Sequence, residues 1–142
     1  MSLNVEALEQ SFAQIKPHAT EFAASFYSTL FTDYPQVQPL FTHTDMNEQR
    51  KHLISALVLV IDNLREPDVL NDALKSLGAK HVNYGTIQEH YPMVGAALLK
   101  TFKSYLGDDW TPELKQAWMD AYQVISDIML KGAQEAPSAQ LH

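Results

Sequence analysis

The stretch LGAKHVNYGTIQEHYPMVG, residues 77–95, contains two histidines in different settings. His81 follows Leu74 and Leu77 by seven and four residues, which is the spacing of one face of a helix. His90 lies in a polar segment directly before a tyrosine and a proline. A neutral imidazole that faces an apolar interior is a good iron ligand, but it is more often a core histidine with a hydrogen-bond partner. The stretch alone leaves both interpretations of His81 open.

The rest of the chain has the apolar periodicity of helices and little of the alternation of strands. The clearest stripe has i, i+3, i+4 and i+7 spacing and is formed by Leu53, Ala56, Leu57, Val60, Ile61 and Leu64. Prolines mark several corners between stripes of unequal length. The pattern predicts an all-α fold of six or seven helices. It fits a helical sandwich better than a regular four-helix bundle, although periodicity alone leaves both arrangements open.

Capping residues predict where several helices begin and end. Thr20 is placed to cap the second helix, and Pro67 and Pro92 are placed to open later helices. The segment Thr111-Pro112-Glu113 has a cap, a proline and an acid in the order of a helix start. Gly132 is predicted to end the last helix.

Length and composition exclude several classes of protein. A chain of 142 residues can bury one hydrophobic core, so we expect one domain over residues 1–131 and a disordered tail over residues 132–142. Cysteine is absent, which excludes thiolate metal sites, and a net charge of −7 opposes binding to nucleic acids. No apolar run approaches the roughly 18 residues of a membrane helix, and the start lacks the order of a secretory signal. The sequence therefore favours a cytoplasmic protein that does not enter a membrane.

Two polar side chains extend apolar stripes. Gln49 lies four residues before Leu53 and continues that stripe by one turn, although at a helix start it could also face solvent. Tyr27 adjoins Phe26, and its hydroxyl needs a partner if it is buried, although it could also be plain core. The sequence contains no HExxH pair, glycine-rich phosphate loop or GxSxG elbow. Hydrolase, kinase and nucleotide-binding functions are therefore not indicated.

The order of these residues along the chain resembles that of a known family. Phe41 follows a proline-marked corner, and Gln49 then precedes Leu53 by four residues. His81 follows Gln49 by 32 residues, and Tyr91 follows His81 by ten. This order resembles the globin family over residues 3–131, specifically the single-domain bacterial globins and the globin part of flavohemoglobins. The segment LGDDWTPELKQAWMDAY, residues 106–122, also resembles the entry to the last helix of bacterial globins and of neuroglobin.

The resemblance implies a globin fold that encloses haem b, with His81 as the ligand of the iron. It implies a haem pocket lined by Phe41, Leu53, Leu77, Ile87 and Tyr91, and a distal pair, Tyr27 and Gln49, that donates hydrogen bonds to bound oxygen. Phe41 would wedge against the porphyrin, and Tyr91 would help to fix the proximal imidazole. Because iron-bound dioxygen carries partial negative charge, buried donors favour it over uncharged ligands.

Two departures from the family pattern leave alternatives open. The glutamate that joins the proximal tyrosine in flavohemoglobins falls at Ala133, with Glu135 two residues further, so the electron push of an oxygen-activating enzyme is not expected. The link before Gln49 is shorter than in those relatives, and a shift of register would bring Glu48 or His52 to the distal position. His52 would in that case be a candidate sixth ligand of the iron. Candidates for pairing with haem propionates, or else ordinary solvated charges, are Arg50, Lys51 and His52.

The resemblance implies three alternative functions. The first is reversible binding of dioxygen and other diatomic ligands, as in oxygen transport, without enzymatic activity. The second is nitric oxide dioxygenase activity, which would need a separate reductase because the sequence contains no flavin or nicotinamide domain. The third is sensing of oxygen or nitric oxide through an external partner. We expect a monomer or a homodimer.

Overall fold

The predicted all-α class is confirmed. The computed structural model describes residues 4–83 and 88–135, and all regular secondary structure in these residues is helical. The α-helices of this part of the chain are α1 (Val5–Ile15), α2 (Ala19–Asp33), α3 (Met46–Asp62), α4 (Pro67–Asn83), α5 (His90–Leu106) and α6 (Pro112–Glu135). Short 3₁₀ segments are Lys16–His18, Pro35–Phe41 and Gly107–Asp109. None of the described helices is long and apolar enough to span a membrane.

Side-chain caps explain where α3 and α6 begin. The Asp45 carboxylate accepts hydrogen bonds from the main-chain N–H groups of Asn47 at 3.0 Å and Glu48 at 3.4 Å, which starts α3. The predicted start of α6 is confirmed, because the Thr111 hydroxyl accepts from the Leu114 N–H at 3.1 Å. Both caps satisfy amide groups that a helix start would otherwise leave without a partner.

Two predicted helix starts are displaced. Thr20 is the second residue of α2 and not its cap, since the Lys16–His18 segment runs directly into the helix and leaves no loop to be capped. Pro92 is the third residue of α5, which begins at His90. A proline is tolerated there because the amide groups of the first helical turn have no acceptor within the helix.

The core is aromatic and joins four helices. The rings of Phe22 on α2 and Phe102 on α5 are 4.9 Å apart between centroids, and Phe102 stacks on Trp118 of α6 at 4.2 Å. The Trp118 indole N–H donates to the Ser11 hydroxyl of α1 at 2.9 Å. With α1, α2, α5 and α6 joined in this way, α3 packs on α2, and α4 packs on α6.

The last helix extends beyond its predicted end. Gly132 is buried inside α6, which continues to Glu135, so residues 132–135 are helical and not part of a tail. A Cβ at Gly132 would overlap the main-chain oxygen of Lys75 and lie 2.6 Å from its Cα. The glycine therefore serves the close approach of α4 and not helix termination, a distinction that one sequence cannot make. Residues 136–142 of the predicted tail lie outside the described residues.

Candidate functional site

The predicted distal pair is in direct contact. The Gln49 amide on the first turn of α3 donates from Nε2 to the Tyr27 hydroxyl on α2 at 3.0 Å. The side chains that a shift of register would have used, Glu48 and His52, are exposed. The burial of Leu57 and Val60 sets which face of α3 packs inward, and Gln49 lies on that face two turns before Leu57.

Burial determines the protonation of Tyr27. The side chain is 6% exposed, and this burial raises its pKa above the ordinary value of 10.0, while the Gln49 hydrogen bond opposes part of the rise. The phenol is therefore neutral at physiological pH. Because its oxygen accepts the Gln49 N–H, the hydroxyl hydrogen is available to donate to a further acceptor.

The proline-marked corner places Phe41 next to this pair. The Phe41 ring lies 5.7 Å from the Tyr27 ring in an edge-to-face arrangement and 5.3 Å from the Phe31 ring. The prolines in Pro35–Phe41 restrict the segment to a tight 3₁₀ path that ends at Phe41. An open cavity of about 560 Å³ is lined by Phe31, Pro35, Gln38, Pro39, Phe41, Thr42 and Met46. Phe31 and Phe41 thus form an aromatic wall beside Tyr27. Neither member of the distal pair is among the residues that line the cavity.

On α4 the tautomer and charge of the His81 imidazole follow from its surroundings. Its Nδ1 lies 2.8 Å from the Leu77 carbonyl oxygen, and a carbonyl only accepts, so Nδ1 carries the proton. That tautomer gives Nε2 the lone pair with which an imidazole coordinates a metal. Burial lowers the pKa of His81, and the hydrogen bond to Leu77 opposes part of this effect. The imidazole is therefore neutral at neutral pH, as a metal ligand must be.

The other predicted pocket residues have mixed placements. Leu53 and Leu77 are partly buried and pack against the core, one on α3 and one on α4. Tyr91 is buried near the start of α5, and burial raises its pKa. The predicted contact of its hydroxyl with the proximal imidazole stays a prediction. Ile87 lies outside the described residues.

Sequence reasoning missed Tyr122. Its hydroxyl on α6 donates to the Tyr91 main-chain carbonyl at 2.7 Å, which ties α6 to the start of α5. Burial raises the pKa of Tyr122. Its ring also lies against Gly95, where a Cβ would come within 2.7 Å of the ring Cε2. Nothing local in the sequence pairs these residues, which are 31 positions apart.

Of the three candidates for pairing with propionates, Arg50 has the most distinct setting. Its Nη1 donates to Asn47 at 2.8 Å, while its Nε is buried and has no hydrogen-bond partner among the described residues. Lys51 is exposed and lies 3.6 Å from Glu48, and His52 is exposed. A buried donor without a partner is costly and is compatible with an anionic group at this position.

The residues fit a haem group. The described residues contain no group of three histidine, cysteine, aspartate or glutamate side chains that could hold a bare metal ion. Haem iron needs no such group, because the porphyrin supplies four nitrogens and the protein one axial ligand. His81, which is partly buried and neutral, could supply such a ligand, and Tyr27 with Gln49 could supply a hydrogen-bond donor.

Comparison with known proteins identifies the class. Residues 24–129 match the globin family, and the chain belongs to that family. The predicted globin fold is confirmed, and the family implies a haem-binding protein.

The chain is similar to particular bacterial proteins. It is 32% identical over 128 residues to a flavohemoprotein of Bacillus subtilis, a match that covers 89% of this chain and 32% of that protein. The chain thus spans about a third of the length of this curated relative. A bacterial globin of Campylobacter jejuni superimposes with a TM-score of 0.81 at 27% identity, over 92% of this chain and 94% of that one. An engineered carbene transferase, a putative nitric oxide dioxygenase from Rhodothermus marinus, superimposes with a TM-score of 0.85 at 25% identity, over 97% and 96%.

We predict that Tyr122→Phe lowers the stability of the apoprotein at neutral pH but makes it less sensitive to alkali. Loss of the donor removes a side-chain hydrogen bond at the start of α5, at a cost of about 0.5–1.5 kcal/mol, while the Tyr91 carbonyl keeps its partner within the helix. Because the pKa of Tyr122 is raised on folding, the unfolded chain releases this proton first as pH rises above 10.0, and stability falls there. The variant lacks that contribution, so its free energy of unfolding, measured with urea, should fall less steeply between neutral pH and pH 11. Tyr34→Phe is the control, and equal alkaline slopes in Tyr122→Phe and the parent protein would contradict the prediction.

Proposed function

We propose that the protein holds haem b through His81 and reversibly binds dioxygen and other diatomic ligands. The observation that carries the proposal is the hydrogen bond from Gln49 to the Tyr27 oxygen at 3.0 Å. When bound, haem supplies the iron at which a diatomic ligand coordinates. The protein's own part is to hold one neutral imidazole and one oriented phenol in a site that is largely apolar.

Tyr27 and Gln49 have different roles in this proposal. Tyr27 is the donor toward the ligand, since its hydroxyl hydrogen is available and its burial keeps it protonated. Gln49 acts mainly through Tyr27, because its Nε2 donates to the phenol oxygen and fixes the direction of the hydroxyl. A buried donor favours a ligand with partial negative charge, which selects dioxygen over carbon monoxide.

His81→Ala should abolish tight haem retention. The change removes the axial ligand that the proposal assigns to the iron. The measurement is the Soret absorbance that survives gel filtration after haem supplementation. Added imidazole should restore the spectrum.

His52→Ala is the matched control, because this histidine is exposed and lies one turn from Gln49. We expect its haem retention and ferric spectrum to equal those of the parent protein. Loss of haem in His52→Ala, or full retention in His81→Ala, would show that the ligand assignment is wrong. A change of the ferric spectrum in His52→Ala alone would make His52 a sixth ligand.

Tyr27→Phe should speed oxygen dissociation more than Gln49→Leu does. Each change removes a hydrogen bond worth about 1–3 kcal/mol, which corresponds to about 5–150-fold in rate. We expect the larger rate increase for Tyr27→Phe, because the phenol is the direct donor to the ligand. Stopped-flow displacement of oxygen measures the rates, and carbon monoxide dissociation is the comparison because that ligand carries little charge. The reverse order of the two variants would mean that Gln49 is the direct donor.

A second candidate function is nitric oxide dioxygenase activity with a separate reductase. It is favoured by the similarity to flavohemoproteins and to a putative nitric oxide dioxygenase. The Tyr27–Gln49 pair suits a reaction in which oxygen is held while nitric oxide approaches. Electrons for repeated turnover would come from the reductase, which is the partner this candidate requires.

Nitrate yield separates the two functions. If the protein is a binder, oxygenated protein mixed with nitric oxide should give about one nitrate per haem, and an added flavin reductase with reduced nicotinamide cofactor should raise that yield only slowly. Many turnovers per haem in the presence of the reductase would establish the enzyme instead. The His81→Ala protein is the control for nitrate formed without the site.

The remaining expectations from the sequence belong to the same proposal. They are the cytoplasmic location, the monomeric or homodimeric state and a single domain, which includes α6 to Glu135.

A further inference from the structure

We propose that Gly78 and Gly132 are positioning residues for His81, because they let α4 and α6 touch main chain to main chain. This contact sets where the turn that carries the imidazole lies. The inference rests on the proposed function and deepens it, since it names residues outside the pocket that would set the proximal geometry.

The two glycines form reciprocal contacts. A Cβ at Gly78 would overlap the main-chain oxygen of Met129 and lie 2.7 Å from its Cα. A Cβ at Gly132 would overlap the main-chain oxygen of Lys75 and lie 2.6 Å from its Cα. The residue number on α4 rises from 75 to 78 while its partner on α6 falls from 132 to 129, so the helices cross in opposite directions. Gly78 thus makes room for the turn of α6 that contains Met129 and Gly132. Gly132 makes room for the turn of α4 that contains Lys75 and Gly78.

The contacts cannot be relieved by a change of rotamer. The atoms that a new Cβ would meet belong to the main chain of the facing helix, which moves only if the whole helix moves. Both glycines are buried. The other two described glycines differ, since Gly95 faces a tyrosine ring and Gly107 has a φ of 54° with open space around it. Backbone-to-backbone contact is therefore specific to this crossing among the described glycines.

Gly78 lies inside the turn that defines the proximal ligand. The His81 Nδ1 hydrogen bond to the Leu77 carbonyl, 2.8 Å long, spans that turn and encloses Gly78. A displacement of Gly78 away from α6 would carry the acceptor and the imidazole with it. Gly132 acts on the same helix one turn earlier, through Lys75, and contributes no atom to the pocket.

The test compares Gly78→Ala, Gly132→Ala and the double variant. In a helix interior, Gly→Ala normally raises stability, so a lower melting temperature of either apoprotein would report crowding at the crossing. In the haem-loaded ferrous protein, resonance Raman should show a shifted iron–histidine stretching band. Haem transfer to excess apomyoglobin should be faster by about 10–100-fold, the usual effect of disturbing what orients a metal-bound histidine.

The double variant distinguishes a shared displacement from two independent defects. One separation of α4 from α6 makes room for both Cβ atoms, so the double variant should shift the band no further than the larger single variant. Additive shifts would overturn the proposal. If Gly78→Ala does not fold by circular dichroism, Gly132→Ala, which lies outside the site, carries the test.

Gly107→Ala is the matched control. It places an alanine at a positive φ far from the crossing, so it should lower the melting temperature and leave the stretching band in place. An unchanged band in folded, destabilised Gly78→Ala and Gly132→Ala would overturn the positioning role while leaving haem binding intact. A parent protein without a Soret band would instead overturn the proposed function and this inference with it.

Discussion

The main-chain contact between α4 and α6 is the constraint on which the proximal half of the molecule depends. Side chains in a core can exchange rotamers and absorb a small displacement, but two helix backbones in contact cannot. At Gly78 and Gly132 the spacing of the two helices is set by the peptide groups themselves. The imidazole of His81 lies within one turn of that contact, so its position follows from the helix crossing.

The distal half is held in a different way, by polar and aromatic side chains on elements that are far apart in sequence. Gln49 meets Tyr27 because it lies on the face of α3 that packs against α2. Phe41 lies next to Tyr27 because prolines restrict the segment before it. Such side-chain contacts can shift more easily than two helix backbones that touch. In the proposed function, substitutions in the distal half should therefore tune ligand binding, whereas substitutions at the α4–α6 crossing should displace His81.

Periodicity was sufficient to predict the helices, and helical phase together with family resemblance was sufficient to bring Tyr27 and Gln49 together. The helices are a local property and the Tyr27–Gln49 contact is a pairwise one, and the spacing of residues along the chain indicates both. The role of Gly132 was not predictable, because a glycine that ends a helix and one that admits a neighbouring backbone look the same in one sequence. Tyr122 was missed for a related reason, since its acceptor is a main-chain carbonyl that any residue at position 91 would provide.

In the proposed function, the main-chain acceptor on the His81 imidazole would favour binding over oxygen activation. A carboxylate that accepts the imidazole N–H raises the basicity of the ligand, whereas a neutral main-chain carbonyl does so less. In this protein the Nδ1 proton is donated to the Leu77 carbonyl, and the helical position at which flavohemoglobins would place a glutamate is Ala133. Position 133 therefore offers no carboxylate that could accept the imidazole N–H and increase electron donation to a bound iron. Tyr27 and Gln49, by contrast, are in contact, and in the proposed function a strong donor with a moderate axial ligand would suit holding dioxygen and releasing it unchanged.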